Sequence, residues 1–166
     1  MIATAHVIIG GTVGVLTKNP AAGFLAGVAS HLICDAIPHL DGPLYPQYEN
    51  GDKDKMIWTR GIFIFALADS LFAFLITLFL WNKYFDLSIV SSFVWGALGG
   101  YLPDFIDVVP FWRDTVRKIP ILKQFHEFHL ALHVSWQTKF PMIHYWPLGI
   151  ATQLIIALPC LWFIVK

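Results

Sequence analysis

Apolar stretches of helical length, separated by short polar links, constrain this chain more than any other feature of its sequence. Each stretch carries at most one charge, and a backbone in lipid must satisfy its hydrogen bonds within a helix or a closed barrel. We therefore predict five membrane-spanning helices, near residues 2–17, 21–37, 61–81, 87–103 and 145–165. The first two are close to the shortest length that crosses a hydrocarbon core of about 30 Å.

The composition supports a single integral membrane domain over all 166 residues. Hydrophobic residues make up 57% of the chain and charged residues 13%, which is about half the globular average for charge. Eleven basic residues balance eleven acidic ones, so the chain lacks a net positive charge that would attract nucleic acid. We predict an all-α, polytopic helical bundle in the membrane, with no nucleic-acid partner.

Basic residues are divided unequally between the two sides of such a bundle. Eight of the eleven fall on the side of the N-terminus, and only Lys18, Lys83 and Lys166 fall on the other. The positive-inside rule then places the N-terminus in the cytoplasm and predicts a multi-pass protein of the inner membrane. The two long connections, 38–60 and 108–144, lie on this basic side and hold most of the polar residues.

Glycine pairs at a spacing of four residues recur in spans one, two and four. The pairs are Gly10 and Gly14, Gly23 and Gly27, and Gly96 and Gly100. Small residues at this spacing let helix backbones approach closely, so we predict that these three spans pack together. A homodimer through the same faces stays open as an alternative.

The end of the second predicted span carries the most informative group of ionisable residues. His31 and Asp35 stand one turn apart on one helix face, and Pro38 ends the helix. His39 and Asp41 follow in the loop, where they can fold back over the helix end. Ionisable side chains inside a span are costly and face the bundle interior, so we favour a functional pair over one that only satisfies itself.

Two carboxylates lie at the end of the fourth predicted span. Asp104 and Asp107 share a helix face at a spacing of three residues, and we expect Asp104 to lie deeper and Asp107 to be closer to solvent. Like charges this close repel each other, and one would be pushed toward protonation unless a cation lay between them. A metal ion would remove this repulsion.

A stripe of histidines marks a further, amphipathic helix that we predict near residues 119–138. His126, His129 and His133 share one face with apolar neighbours, while Lys123 and Glu127 lie on a solvated face. A single histidine on such a face would be an ordinary hydrogen-bonded core residue. Three buried imidazoles need three partners, and a metal ion supplies one to each ring.

All seven histidines of the chain fall at or near the basic side, together with several aspartates. Imidazole and carboxylate ligands suit zinc first, with manganese or iron as alternatives, and their number allows one to three divalent ions. We predict as metal ligands His31, Asp35, Asp104, Asp107, His129 and His133. We predict as additional ligands, or as residues that orient the ligands, His6, His39, Asp41, Asp69 and His126.

Four sequence elements, taken together, carry a resemblance to a known family. They are His6 in the first span, His31-x3-Asp35, Leu102-Pro103-Asp104-x2-Asp107, and His129-x3-His133-Val134-Ser135. Most of the chain thereby resembles the membrane-bound metal-dependent hydrolases of bacteria and archaea, a family of small inner-membrane proteins. The resemblance implies a metal-dependent hydrolase, with Asp104, Asp107 and His133 in its site.

A second likeness is local. The element His31-x3-Asp35-x2-Pro38-His39 is similar to the His-x3-Asp element, followed by Pro and His, of zinc-dependent phospholipases C and the related zinc nucleases. Those enzymes are all-helical and hold three zinc ions. This likeness implies that His31 and Asp35 are zinc ligands and that the substrate is a phosphoester.

We therefore expect a membrane-embedded metal-dependent hydrolase with its site at the cytoplasmic face. Arg113, Arg117 and Lys118 would attract an anion there, so we expect the substrate to be a phosphoester of a lipid or another amphiphile. Three alternatives stay open: a di-iron membrane oxidoreductase, a metal or proton transporter, and a structural protein whose histidines and aspartates pair with one another. Glu127 points away from the histidine stripe and is not favoured as a general base.

Overall fold

A computed structural model describes residues 1–40, 57–83, 86–137 and 145–166, apart from the side chains of 134–137. Within these ranges every regular element is a helix, so the all-α prediction is confirmed there. The helices are α1 (Ala3–Thr17), α2 (Pro20–Asp35), α3 (Arg60–Lys83), α4 (Leu87–Asp107), α5 (Arg113–Val116), α6 (Pro120–Gln137) and α7 (Trp146–Val165).

Three of these helices, α3, α4 and α7, are long and apolar enough to cross a membrane. The apolar α1 has 15 residues and α2 has 16, so five spans remain a prediction. Large apolar side chains on α3 and α7, among them Phe72, Phe79 and Ile155, are exposed. Such surfaces are unfavourable in water and fit the hydrocarbon of a bilayer.

The break between α1 and α2, at residues 18–19, lies between the first two predicted spans. Lys18 ends α1 in the left-handed conformation, with a φ of 52°. Asn19 then caps α2, because its side-chain oxygen accepts a hydrogen bond from the amide of Ala22 at 3.0 Å. Pro20 occupies the first turn of α2, where its missing N–H costs no hydrogen bond.

The centre of the bundle is the close approach of α1, α2 and α4 at their glycines. A Cβ atom on Gly96 would collide with the backbone of Gly10 and Gly14, and one on Gly27 would collide with the carbonyl of Gly96. Only glycine allows backbones to approach this closely. The predicted packing of these three helices is therefore confirmed. The glycines pack within one chain here, and a homodimer remains a prediction.

Two polar side chains in the apolar helix α7 hold the segment that follows α2. Gln153 donates a hydrogen bond from Nε2 to the carbonyl of Leu40 at 2.8 Å, and Thr152 donates one from Oγ1 to the carbonyl of Pro38 at 2.9 Å. The amide of Leu40 donates in turn to the carbonyl of Gly149. These hydrogen bonds fix residues 38–40 over the end of α2.

We expect Gly96→Ala to destabilise the bundle, because the added methyl group would overlap the α1 backbone, which cannot rotate away as a side chain can. The expected loss in the free energy of unfolding is about 1–3 kcal/mol, the range for overpacked cores. Thermal unfolding in detergent micelles measures it. Gly61→Ala is the control, since the nearest atom to a Cβ there is 3.9 Å away. Equal melting temperatures of the two variants would contradict the packing argument.

Candidate metal centre

The carboxylate of Asp35, at the end of α2, lies at the centre of a buried histidine cluster. Its side chain is completely buried. Its Oδ2 atom lies 2.8 Å from Nε2 of His31, 2.9 Å from Nε2 of His129 and 3.1 Å from Nε2 of His133. Its Oδ1 atom lies 3.0 Å from Nε2 of His6. Side chains from α1, α2 and α6 therefore converge on one carboxylate at one end of the bundle.

The other ring nitrogen of two of these histidines is already engaged. Nδ1 of His31 lies 2.7 Å from the carbonyl oxygen of Gly100, and Nδ1 of His129 lies 3.0 Å from Oδ2 of Asp107. A carbonyl or an ionised carboxylate only accepts hydrogen bonds, so Nδ1 carries the proton in both rings. In the neutral rings, Nε2 consequently presents a lone pair to Asp35.

Three lone-pair atoms thus meet between side chains that are almost completely buried. Nε2 of His31 and Nε2 of His129 are 3.2 Å apart, and Oδ2 of Asp35 is within 2.9 Å of both. Such atoms repel one another unless a proton or a cation lies between them. Tetrahedral zinc, with bonds of about 2.0–2.1 Å, separates its ligands by about 3.3 Å. The donor set therefore fits a divalent metal ion.

Asp104 completes a group of four side chains that could hold an ion: His31, Asp35, Asp104 and His129. Its Oδ1 atom lies 3.6 Å from Nε2 of His31 and 3.7 Å from Nε2 of His129. The side chain of Asp104 is 28% exposed, whereas the other three are almost completely buried. Solvent therefore reaches this group from the side of Asp104.

A second group of candidate ligands shares Asp35 with the first. It consists of Asp35, His39 and His133, whose ligand atoms lie within 4.8 Å of one another. Nδ1 of His39 lies 2.6 Å from the carbonyl oxygen of Ile37, so it carries the ring proton, and Nε2 faces the cluster. The amino nitrogen of Met1 lies 2.7 Å from both Oδ1 of Asp35 and Nε2 of His39.

His6, from α1, is buried beside both groups. Its ring is 1% exposed and stacks on the ring of His31, with the centroids 3.9 Å apart. Among the described residues neither of its ring nitrogens has a hydrogen-bond partner of good geometry, although Nε2 is close to Asp35. A buried polar atom left in this state costs about 1–3 kcal/mol. His6 therefore also indicates a cluster built around a further ligand.

The two aspartates of α4 reverse the depths that we expected. Asp107 has a side chain that is only 7% exposed, compared with 28% for Asp104. The reason is that α6 packs against the face of Asp107. Its Oδ1 accepts a hydrogen bond from Nδ1 of His126 at 2.7 Å, and its Oδ2 accepts one from His129. Asp107 and His126 thus lie behind the His129 ring, where they orient it, and outside both groups of candidate ligands.

Asp69, which we expected to ligate metal or to hold an imidazole, instead caps α1. Its carboxylate accepts hydrogen bonds from the amides of Ala3, at 2.6 Å, and Thr4, at 3.2 Å, and from the Thr4 hydroxyl. The first turn of α1 has no cap from its own chain segment, and a carboxylate there also meets the positive end of the helix dipole. The prediction for Asp41 lies outside the described residues.

The three cations predicted to attract an anion are not equivalent. Nε of Arg117 lies 3.3 Å from Oδ1 of Asp107, and Nε of Arg113 lies 3.3 Å from Oδ1 of Asp114. Lys118 is exposed. Arg117 therefore joins the buried carboxylate that orients His129, whereas Arg113, which is as buried as Arg117, pairs with an exposed aspartate.

Two contacts that position candidate ligands were not predicted from the sequence. Gln153 accepts a hydrogen bond from the amide of Ile2 at 3.0 Å and also holds Leu40, so it ties the start of α1 to the segment that carries His39. An amide side chain within the apolar span of α7 is a signal that could have indicated this role. The carbonyl of Gly100, which orients His31, has no signal of its own in the sequence.

The environment of His129 predicts how the metal-free protein responds to pH. Burial lowers the pKa of its imidazole, but hydrogen bonds to Asp107 and Asp35 outweigh burial and raise the pKa from 6.5 to about 9. A pKa raised on folding adds stability that is fully present below pH 6.5 and is lost as the pH rises through about 9. Chelator-treated protein should therefore melt at lower temperatures as the pH rises across this window.

The matched variant is Asp107→Asn, which keeps an oxygen acceptor but removes the charge that raises the pKa of His129. We expect a weaker pH dependence in this variant. Melting temperatures across the pH window and NMR titration of the His129 ring measure both effects. A His129 titration near its ordinary pKa in the wild type would contradict the described contacts.

Comparisons with protein-family models, with curated proteins and with solved structures find no match to this chain. The resemblance to membrane-bound metal-dependent hydrolases therefore remains a prediction from the sequence elements. What the chain can do follows from its buried histidine and aspartate side chains, which could hold a metal ion at one end of an apolar helical bundle.

Proposed function

We propose that this protein is a membrane-embedded, metal-dependent hydrolase of the inner membrane, acting on a phosphoester of a lipid or another amphiphile. One observation carries the proposal: His31 and His129 each commit Nδ1–H to an oxygen acceptor and direct Nε2 to the same buried carboxylate oxygen. An imidazole with its second nitrogen held by a carbonyl or carboxylate is the usual arrangement of a metal-ligating histidine.

A proton between the two rings is the competing explanation, and the charges favour a divalent ion. Asp35 has a single negative charge but faces several imidazoles at hydrogen-bond distance. Neutral rings leave their lone pairs opposed, whereas protonating several rings would build up positive charge in a buried space. An ion with His31, Asp35, Asp104 and His129 as ligands balances two carboxylates and lies between the opposed lone pairs of His31 and His129. Two imidazoles and two carboxylates suit zinc, with manganese or iron as alternatives.

A divalent ion supplies Lewis acidity, which makes water nucleophilic near neutral pH and polarises a phosphoester. The chain determines how the reactants reach it. Asp104 is the solvent-accessible member of the group, so water and substrate enter from its side. Asp107 and the carbonyl of Gly100 retain the Nδ1 protons of His129 and His31, which keeps both Nε2 atoms directed into the site.

The position of the group in the bundle supports an amphiphilic substrate. The group lies where α4 ends, close to the beginning of α1. In a five-span topology, these helix ends are on the same side of the membrane as the basic residues Arg60, Arg113, Lys118 and Lys123. The positive-inside rule makes this side cytoplasmic. A site at the depth of the lipid headgroups, with basic residues beside it, is suited to an anionic headgroup that stays attached to its apolar chain.

The decisive test is the metal content of the detergent-purified protein, measured by mass spectrometry. We expect at least one zinc, manganese or iron ion per chain in the wild type. His31→Ala and Asp35→Ala should lose this ion, because each removes a ligand of the four-residue group. Glu127→Ala is the matched control, since its carboxylate is 62% exposed and pairs with Lys123 on the outer face of α6.

Activity is then measured with a chromogenic phosphodiester and with phospholipid vesicles. We expect hydrolysis that is abolished by chelators and restored by the ion found in the protein. A wild type without metal after reloading would exclude a metal-dependent hydrolase and leave a structural role. Bound iron with a visible absorption band, and no hydrolysis, would favour an oxidoreductase. Ion flux into liposomes without hydrolysis would favour a transporter.

A further inference from the structure

Aromatic rings form a continuous row at the end of the bundle that carries the candidate metal centre. The row starts just before α3, crosses to the link between α4 and α5, and returns along the last turns of α4. Its members, in order of contact, are Trp58, Phe63, Phe111, Trp112, Phe105 and Tyr101. Successive ring centroids are 4.7–6.5 Å apart, so each ring contacts the next. We name this row the aromatic ledge.

The aromatic ledge reaches the metal centre through α4. Tyr101 lies one helical turn before both Asp104 and Phe105, so these three side chains occupy adjacent strips of the helix surface. Asp104 is the accessible member of the four-residue group, with a side chain that is 28% exposed. The inner end of the ledge therefore lies next to the side from which solvent reaches the centre.

The outer part of the aromatic ledge is apolar and exposed. Phe111 is 74% exposed, Phe63 42% and Phe105 39%. Trp112 packs on Phe105, with the centroids 4.7 Å apart, and donates its indole N–H to the carbonyl of Phe105 at 2.8 Å. The indole then has no other polar atom that needs water. Rings that only fixed the α4–α5 link would be covered by it, whereas Phe111 presents its face outward to an apolar partner.

Basic side chains lie beside the aromatic ledge. Arg60 lies one turn before Phe63 on α3, and Arg113 directly follows Trp112 in the chain. Arg60 and Lys118 are exposed. Aromatic rings next to cations are typical of the boundary between hydrocarbon and headgroups, where the rings contact acyl chains and the cations attract anionic headgroups. This combination favours an anionic lipid over a neutral lipid and over a soluble anion.

We propose that the aromatic ledge binds the acyl chain of an anionic phospholipid and is the apolar subsite of the proposed hydrolase, on whose function this inference rests. The exposed rings contact the first methylene groups of the chain, and the headgroup then lies beside Asp104 at the accessible side of the centre. The ledge thereby determines which phosphoesters reach the centre, since a phosphoester without an apolar chain gains nothing from it.

The first test counts the lipids that the detergent-purified protein retains in native mass spectrometry after incubation with phosphatidylglycerol or phosphatidylcholine. We expect one phosphatidylglycerol per chain and weaker retention of phosphatidylcholine. Phe111→Ala and Trp112→Ala should each weaken retention about tenfold, because each removes one apolar ring contact. Arg60→Gln should reduce the preference for phosphatidylglycerol. Phe79→Ala is the matched control, since Phe79 is a 63% exposed ring of α3 that lies outside the ledge.

The second test measures hydrolysis, and it separates the ledge from the proposed function. Phe111→Ala should raise KM for long-chain phosphatidylglycerol about tenfold, and should leave kcat and the KM for a water-soluble chromogenic phosphodiester unchanged. Retention without hydrolysis would overturn the hydrolase and leave the ledge as a lipid site. Hydrolysis with an unchanged long-chain KM would overturn the ledge and leave the hydrolase.

Three further results would overturn the aromatic ledge as a specific site. They are equal retention of both lipids by the wild type, wild-type retention by Phe111→Ala, and an equal loss in Phe79→Ala, which would indicate general contact with the bilayer. Should Trp112→Ala fail to fold, as judged by its melting curve, Phe111→Ala decides alone, because that ring is the most exposed of the ledge.

Discussion

The structure depends on the contact between α1, α2 and α4 at Gly100. A Cβ atom on this residue would collide with the carbonyl of His6, so only glycine lets α1 pack at this level of α4. The carbonyl of the same residue accepts the hydrogen bond from Nδ1 of His31 at 2.7 Å. One backbone position therefore sets both the spacing of the helices and the orientation of a candidate ligand. The stacking of His6 on His31 follows from this close approach.

The bundle must also stabilise a carboxylate where water does not reach. An isolated buried charge costs several kcal/mol, and a buried pair is stabilising only when its geometry is good and its remaining donors are satisfied. Asp35 is surrounded by imidazoles from α1, α2, α6 and the segment after α2. Three of them, His31, His39 and His129, are held in turn by Gly100, Ile37 and Asp107. The polar network is thus connected outward from one residue, so a change in any of these contacts alters the whole cluster.

Local periodicity made part of this arrangement predictable from the sequence. His31 and Asp35 share a helix face because they are four residues apart, and the stripe of α6 faces inward for the same reason. The depths of Asp104 and Asp107 were predicted wrongly, because they depend on where α6 packs. The role of Asp69 depends on which helix begins beside it. Contacts between distant segments of this kind leave no periodic signal in the sequence.

Two histidines of the cluster come from α6, a helix that is not one of the membrane-type spans. α6 exposes Lys123 and Glu127 on its outer face, while His129 and His133 reach Asp35 from its inner face. Before α6 docks, Asp35 would have fewer partners, and its burial would be more costly. The contacts between imidazole and carboxylate therefore help to dock α6 as well as to form the site. A site completed by a surface helix can be assembled at the membrane boundary, where an amphiphilic substrate presents its polar end.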